Sequence, residues 1–138
     1  MIQVSQVPTE YVNSCWKDVE GYLKKALEYT NGRYEIEDLY LAICKYDHHL
    51  WIAFDENEIK GAVVTHILVY PRKRFLCIAF CGGKEMDTWK DEMIVMLKNF
   101  AIDMKCDGLE ATGRKGWAKA LKSHGHEFLW DTFELPLE

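Results

Sequence analysis

The stretch FCGGKEMDTWKDEM, residues 80–93, joins an apolar strand to an apolar-striped helix through two adjacent glycines. Upstream lies the run FLCIAFC (75–81); downstream, Met86, Trp89, Met93, Met96, Leu97, Phe100 and Met104 fall on one helical stripe. A strand that turns through glycine into a helix is where free backbone N–H groups and the helix dipole can face an anion. This loop also carries Glu85 and Asp87, and Lys84 is its one cation. Three readings stay open: a working phosphate cradle, a damaged one, or a plain strand-to-helix turn. The methionine stripe itself reads as core, because its spacing is that of a buried helix face.

Before this stretch, LWIAF (50–54), the polar turn DENE, the run IKGAVVTHILVY (59–70) and PRKR (71–74) lead into FLCIAFC. Three neighbouring strands with short polar turns read as an antiparallel meander. Earlier still, IQVSQVP (2–8) is a short strand ended by Pro8, and Thr9 can cap a helix. Val12, Cys15, Trp16, Val19, Leu23, Ala26 and Leu27 then repeat at helical spacing, and Asn31-Gly32 stops the helix. A second helix spans 35–46, with Ile36, Leu39, Ile43 and Tyr46 on one side.

After the methionine-striped helix, Asp107-Gly108 opens a short strand, LEAT (109–112). A helix around 115–123 follows, and HEFLWDTFEL (126–135) closes the chain as a strand. The order is β-α-α-β-β-β-α-β-α-β, which predicts an α/β fold with a mixed β-sheet and helices on both faces.

The chain has 138 residues, a suitable size for one domain over 1–138 with one core. It is 49% hydrophobic and 13% aromatic, enough for a packed interior. No apolar run nears the ~20 residues that span a bilayer. The N-terminus has no basic lead or small-residue cleavage site, so a cytoplasmic protein is expected. Five scattered cysteines fit reduced, buried thiols better than a disulfide framework. With 22 acidic against 17 basic residues the net charge is -5, which argues against a nucleic-acid partner; PRKR reads as a solvated hairpin turn.

The element order resembles the GNAT acetyltransferase superfamily over nearly the whole chain. The closest local likeness is CDGLEATGRKGWAKALKSHGHEF (106–128), with Gly125-His126 where that family has Gly-Phe. LWIAFDENEIKGAVVT, CGGKEMDTW and GRKGWAKAL are also similar to small tailed-phage proteins of GNAT-like fold. The resemblance implies an acetyl-CoA notch between the strands at 75–81 and 109–112. Its pantetheine would pair with backbone at Ile78, Phe80 and Cys81. Its pyrophosphate would meet Gly82, Gly83, Lys84 and the following helix. Arg114 and Lys115 would either bind a further phosphate or be solvated while Trp117 packs down; Trp89 and Trp117 are expected to be buried.

The family's loop, Gln/Arg-x-x-Gly-x-Gly/Ala, is altered here. The glycines are adjacent, and no Arg or Gln precedes them at the family's spacing. A like-charge pair at about 4 Å costs on the order of 4 kcal/mol at an effective dielectric near 20, against ~1–2 kcal/mol from the helix dipole. Glu85 and Asp87 would therefore weaken acetyl-CoA to a dissociation constant above ~100 µM, or abolish binding, unless they point away. Asp87 has another job open to it as a helix N-cap. The family's thiolate-protonating Tyr falls on Leu121, which cannot donate. Glu110 and His66 are the candidates for a catalytic base. His48-His49 has no companion ligand at a metal-binding spacing, so no metal site is expected. Two functions follow. One is a GNAT-fold phage-type protein with a degenerate acetyl-CoA site, acting on another protein or in a phage particle as a binding or structural module. The other is an active N-acetyltransferase with a divergent CoA loop.

Overall fold

The structure, a computed structural model, describes residues 1–113 and 118–137. The elements are β1 (Gln3–Val7), α1 (Val12–Leu27), α2 (Ile36–Cys44), β2 (His49–Phe54), β3 (Ile59–Val69), β4 (Arg74–Gly83), α3 (Lys90–Asp103), β5 (Gly108–Ala111) and α4 (Ala118–Ser123). The strands lie in one sheet in chain order, β1-β2-β3-β4-β5. The first four are antiparallel, and β5 runs parallel to β4. The expected pairing of 75–81 with 109–112 is present, with Leu76 opposite Leu109 and Ile78 opposite Ala111.

Period-two alternation divides the sheet's side chains between two cores. Leu50, Ala62, Val64 and Phe80 pack under α1 and α2 with Val19, Leu23, Leu39 and Ile43. Trp51, Ala53, Val63 and Leu76 pack on the opposite face with Trp89, Met93 and Leu97. The methionine stripe is thus core for most of its length, with Trp89 1% exposed, although Met104 at its end is exposed. Trp117 lies outside the described residues.

Local chemistry sets the boundaries. The entry to α1 is a 3-10 turn, closed by the Tyr11 N–H donating to the Pro8 carbonyl at 2.9 Å, rather than a Thr9 side-chain cap. At the far end Asn31 (φ 55°) and Gly32 (φ 83°) take the left-handed conformation that ends a helix. The Asp38 carboxylate accepts from the Glu35 N–H at 2.9 Å and opens α2. In the DENE turn, Asp55 accepts from the N–H groups of Asn57 and Glu58 at 2.9 and 3.0 Å. PRKR is a hairpin turn with Arg72 and Lys73 exposed, as expected.

Two further expectations are corrected. Residues 126–137 form neither helix nor strand; Phe128, Trp130, Phe133 and Leu135 are exposed. That segment is held through the Glu134 side chain, which accepts from Asn31 at 2.7 Å and pairs with Arg33, so its anchorage is to the loop after α1 rather than a ladder on β5. Asp87 does not cap α3, whose N-cap position is Trp89 without a side-chain bond. Its carboxylate is 93% exposed and pairs with Lys90 at 3.1 Å. Among the described residues no helix is long and apolar enough to cross a membrane.

Candidate active-site cleft

Strand β4 is longer than its parallel neighbour, and the difference makes the site. The β4–β5 ladder ends at Ile78–Ala111, closed by the Thr112 N–H donating to the Ile78 carbonyl at 3.3 Å, while β4 continues to Gly83. At the same point β4 bulges. Val64 lies opposite Phe80 and Thr65 opposite Ile78, which leaves Ala79 without a partner on β3. A bulge resets the side-chain alternation. Ile78 therefore faces the α3 core and Phe80 faces the α1 core, although they are two residues apart. A cleft of about 770 Å³ opens where the strands part. Its walls include Ile78, Phe80 and Cys81 of β4, Met93 and Leu97 of α3, and Tyr34 from the loop after α1. The Tyr34 ring meets Phe80 edge-on, with centroids 5.4 Å apart.

Beside this opening the sheet register lines up a row of titratable groups. His66 of β3 lies opposite Cys77 of β4, and Cys77 lies opposite Glu110 of β5. All three line the cleft. The row continues outward, because His66 Nδ1 is 2.9 Å from Nε2 of His48, just before β2. The Tyr70 hydroxyl reaches back across the row to Glu110, 2.7 and 2.9 Å from its two carboxylate oxygens. That hydrogen bond, with some burial and the Glu110 charge, pushes the Tyr70 hydroxyl up to about 12. Burial, assisted by Glu110, pushes the Cys77 thiol up to about 11, so it is not a thiolate nucleophile at neutral pH. Burial also lowers His66, against the opposing pull of Glu110, which leaves a neutral imidazole at pH 7.

The glycine loop has a different job from the one its pattern suggests. Gly82 and Gly83 are the last residues of β4 and do not line the cleft. A Cβ on Gly82 would lie 2.3 Å from the Tyr22 carbonyl oxygen of α1. Gly83 sits opposite Gly61, and a Cβ on Gly61 would lie 2.3 Å from the Trp89 ring. The glycines are there for close packing, and Trp89 locks the turn by donating its indole N–H to the Lys84 carbonyl at 3.0 Å. Lys84 pairs with Glu58, and Glu85 with Lys60, each at 2.7 Å, outside the cleft lining. Asp87 also lies outside that lining, whereas its partner Lys90 lies within it.

Of the residues singled out in the sequence, His66, Glu110, Ile78, Phe80 and Cys81 therefore meet at the cleft. Gly82, Gly83 and Lys84 stand apart from it, and Arg114 and Lys115 lie outside the described residues. Leu121 does line the cleft, so an apolar group occupies the position that the resemblance assigns to a proton donor. Sequence reasoning missed Tyr70, Lys90 and the role of His48. The five cysteines form no disulfide.

No family model and no curated protein matches the sequence. Solved structures do match its fold. The ribosomal-protein-alanine N-acetyltransferase from Brucella melitensis biovar Abortus 2308 superposes with a TM-score of 0.74 at 10% identity, covering 100% of both chains. A predicted acetyltransferase with acetyl-CoA from Clostridium acetobutylicum gives 0.71 at 14% identity, covering 99% of this chain and 97% of that one. An aminoglycoside acetyltransferase from an uncultured soil metagenomic sample, in complex with sisomicin, gives 0.71 at 14% identity with the same coverage. The fold of this chain is that of the GNAT acetyltransferases.

Proposed function

We propose that this protein is an N-acyltransferase that takes an acyl-CoA thioester at the parting of β4 and β5 and passes the acyl group to an amine. The observation that carries the reading is the alignment of His66, Cys77 and Glu110 along one cleft wall beside the bulge at Ala79. The two acids that argued against CoA are turned to Lys60 and Lys90 and do not line the cleft. In the reaction the amine nitrogen attacks the thioester carbonyl carbon, the C–S bond breaks, and the thiolate leaves. A neutral amine loses one proton as the amide forms, an ammonium loses another before it can attack, and the thiolate takes a proton from water.

Glu110 supplies a negative charge that can draw an ammonium to the wall. Its oxygens already accept from Tyr70, so its part is electrostatic more than basic. His66, neutral at pH 7, is the base that takes the proton. The test is thiol release from acetyl-CoA across a panel of amines and peptides. His66→Gln is expected to lower kcat by ~10²–10⁴-fold. Glu110→Gln is expected mainly to raise KM for the amine. Equal turnover by wild type and His66→Gln would remove His66 from the chemistry.

Leu121 favours a second reading, in which the cleft binds a CoA-type ligand without turning it over and the chain serves as a module for another protein or a phage particle. Heat of acetyl-CoA binding in a calorimeter, with no thiol released for any acceptor, is the result expected of that reading.

A further inference from the structure

A second cavity of about 440 Å³ lies on the α1/α2 side of the sheet, lined by Pro8, Thr9, Ile43, Tyr46, His48 and His49. It touches the acyl-transfer cleft through one pair of side chains. His66 lines the cleft, His48 lines the second cavity, and their ring nitrogens are 2.9 Å apart. The rings meet edge-on, with centroids 4.5 Å apart and planes at 78°. At that distance the two nitrogens share one hydrogen. The other nitrogen of His48, Nδ1, is buried without a hydrogen-bond partner among the described residues. A buried polar atom without a partner is costly, and it marks either strain or a place where something transient binds. No third metal-ligating side chain joins the pair among the described residues.

We propose that His66 and His48 form a two-ring proton path that carries the proton released by the acceptor amine from the cleft to the second cavity. The inference rests on the acyltransfer reading above. His66 takes the amine proton on Nε2 and passes the hydrogen on its Nδ1 to Nε2 of His48. His48 Nδ1 has no exposed surface with the ring as it stands, so its hydrogen passes to water in the second cavity when the ring turns that nitrogen toward the cavity. One proton enters, one leaves, and both rings end neutral in the opposite tautomer. The two rings reset by turning over.

The groups that act on the pair suit a relay of neutral rings. Burial and the mutual repulsion of His48 and His66 oppose a resident charge on His48, while Asp47 pulls the other way. Glu110 favours a brief positive charge on His66. His49, beside His48, disfavours a charge on that ring and is engaged with the Thr65 hydroxyl at 3.0 Å.

Two variants separate a relay from a structural contact. His48→Gln keeps a hydrogen-bonding side chain that cannot pass a proton on, and His48→Phe keeps a ring against His66. Both are expected to lower kcat by at least ~10-fold, short of the full ~10²–10⁴-fold range of general acid–base catalysis. KM for acetyl-CoA should stay constant, and imidazole added to the buffer should restore part of the rate. Undiminished kcat in His48→Gln overturns the proposal. Nitrogen-15 shifts of the two rings give a readout that needs no turnover. A relay requires both rings to sample both tautomers, with the mixing at His66 lost in His48→Gln. A single fixed tautomer at each ring overturns the path. If the wild type releases no thiol, the acyltransfer reading fails by itself, and the nitrogen shifts still decide whether the pair moves a proton.

Discussion

Glu85 and Asp87 are two residues apart, and their carboxylates hold different cations. Glu85 ties Lys60 on β3, away from the cleft; Asp87 ties Lys90, a cation that lines it. Replacing each separately therefore gives different outcomes. Asp87→Asn releases Lys90 and should tighten acetyl-CoA by up to about fivefold, since an exposed ion pair is worth at most ~1 kcal/mol. That gain should shrink as salt is added. Glu85→Gln should leave the affinity unchanged. Calorimetric titration of both variants decides the matter, and a larger gain from Glu85→Gln would mean that this acid faces the ligand after all. The same scale shows what could be read in advance of the site. His66 and Glu110 stood out because each is a polar residue in an apolar strand. Tyr70 was only the last residue of an apolar strand run, and His48 half of an isolated pair. Their partners lie 40 and 18 positions away, a nearness that strand register creates and residue spacing does not reveal.

The element that sets the notch is β4, and its glycines determine how closely α1, β3 and Trp89 can approach it. Gly82→Ala would drive a Cβ into the Tyr22 carbonyl oxygen, a backbone atom that can yield only if α1 moves. Overpacking of this kind costs roughly 1–3 kcal/mol, to be measured as a lower urea midpoint. Gly21→Ala is the control from the helix on top. That glycine is exposed, with nothing within 4 Å of an added Cβ, so alanine should stabilise α1 by up to ~1 kcal/mol. If both substitutions act alike, the close approach of α1 to β4 is not limiting. Most elements were legible from plain patterns: apolar runs bounded by polar turns for β2 and β3, and a 3.6-residue apolar period for α1 and α3. The bulge at Ala79 was not legible, because FLCIAFC is an unbroken apolar run in which no residue marks the extra position. The closing strand was expected from its apolar content, but strand formation needs a partner ladder as well, and residues 126–137 are instead tied at His126 to Leu121 and at Glu134 to Asn31 and Arg33.

At the scale of the molecule, three of the five histidines, His48, His49 and His66, gather at one end of the sheet. His48 and His66 touch on the α1/α2 side, while His49 packs edge-on against Phe100 of α3 at 5.1 Å. Burial lowers all three, His48 to about 4, whereas the unfolded chain returns each to the ordinary value near 6.5. Between those values the unfolded state binds more protons than the folded one, so stability rises with pH. It should be full above about pH 6.5 and fall as acid carries the pH down toward the lowered folded values. The carboxylates whose pKa is lowered, such as Asp55 and Glu134, start from 3.8 and 4.5 and titrate below this window. A loss between pH 6.5 and 5 is therefore a histidine signal. Because a proton on either ring of the 48–66 pair raises the cost of a proton on the other, removing both rings should flatten the fall more than removing one. Urea midpoints at pH 7.5, 6.5, 5.5 and 5.0 measure it, for wild type, His66→Gln and the double variant His48→Gln/His66→Gln. A wild-type midpoint that stays level from pH 7.5 to 5.0 would show that the rings take up protons as readily folded as unfolded, and the imidazole pair would then not be held neutral by its burial.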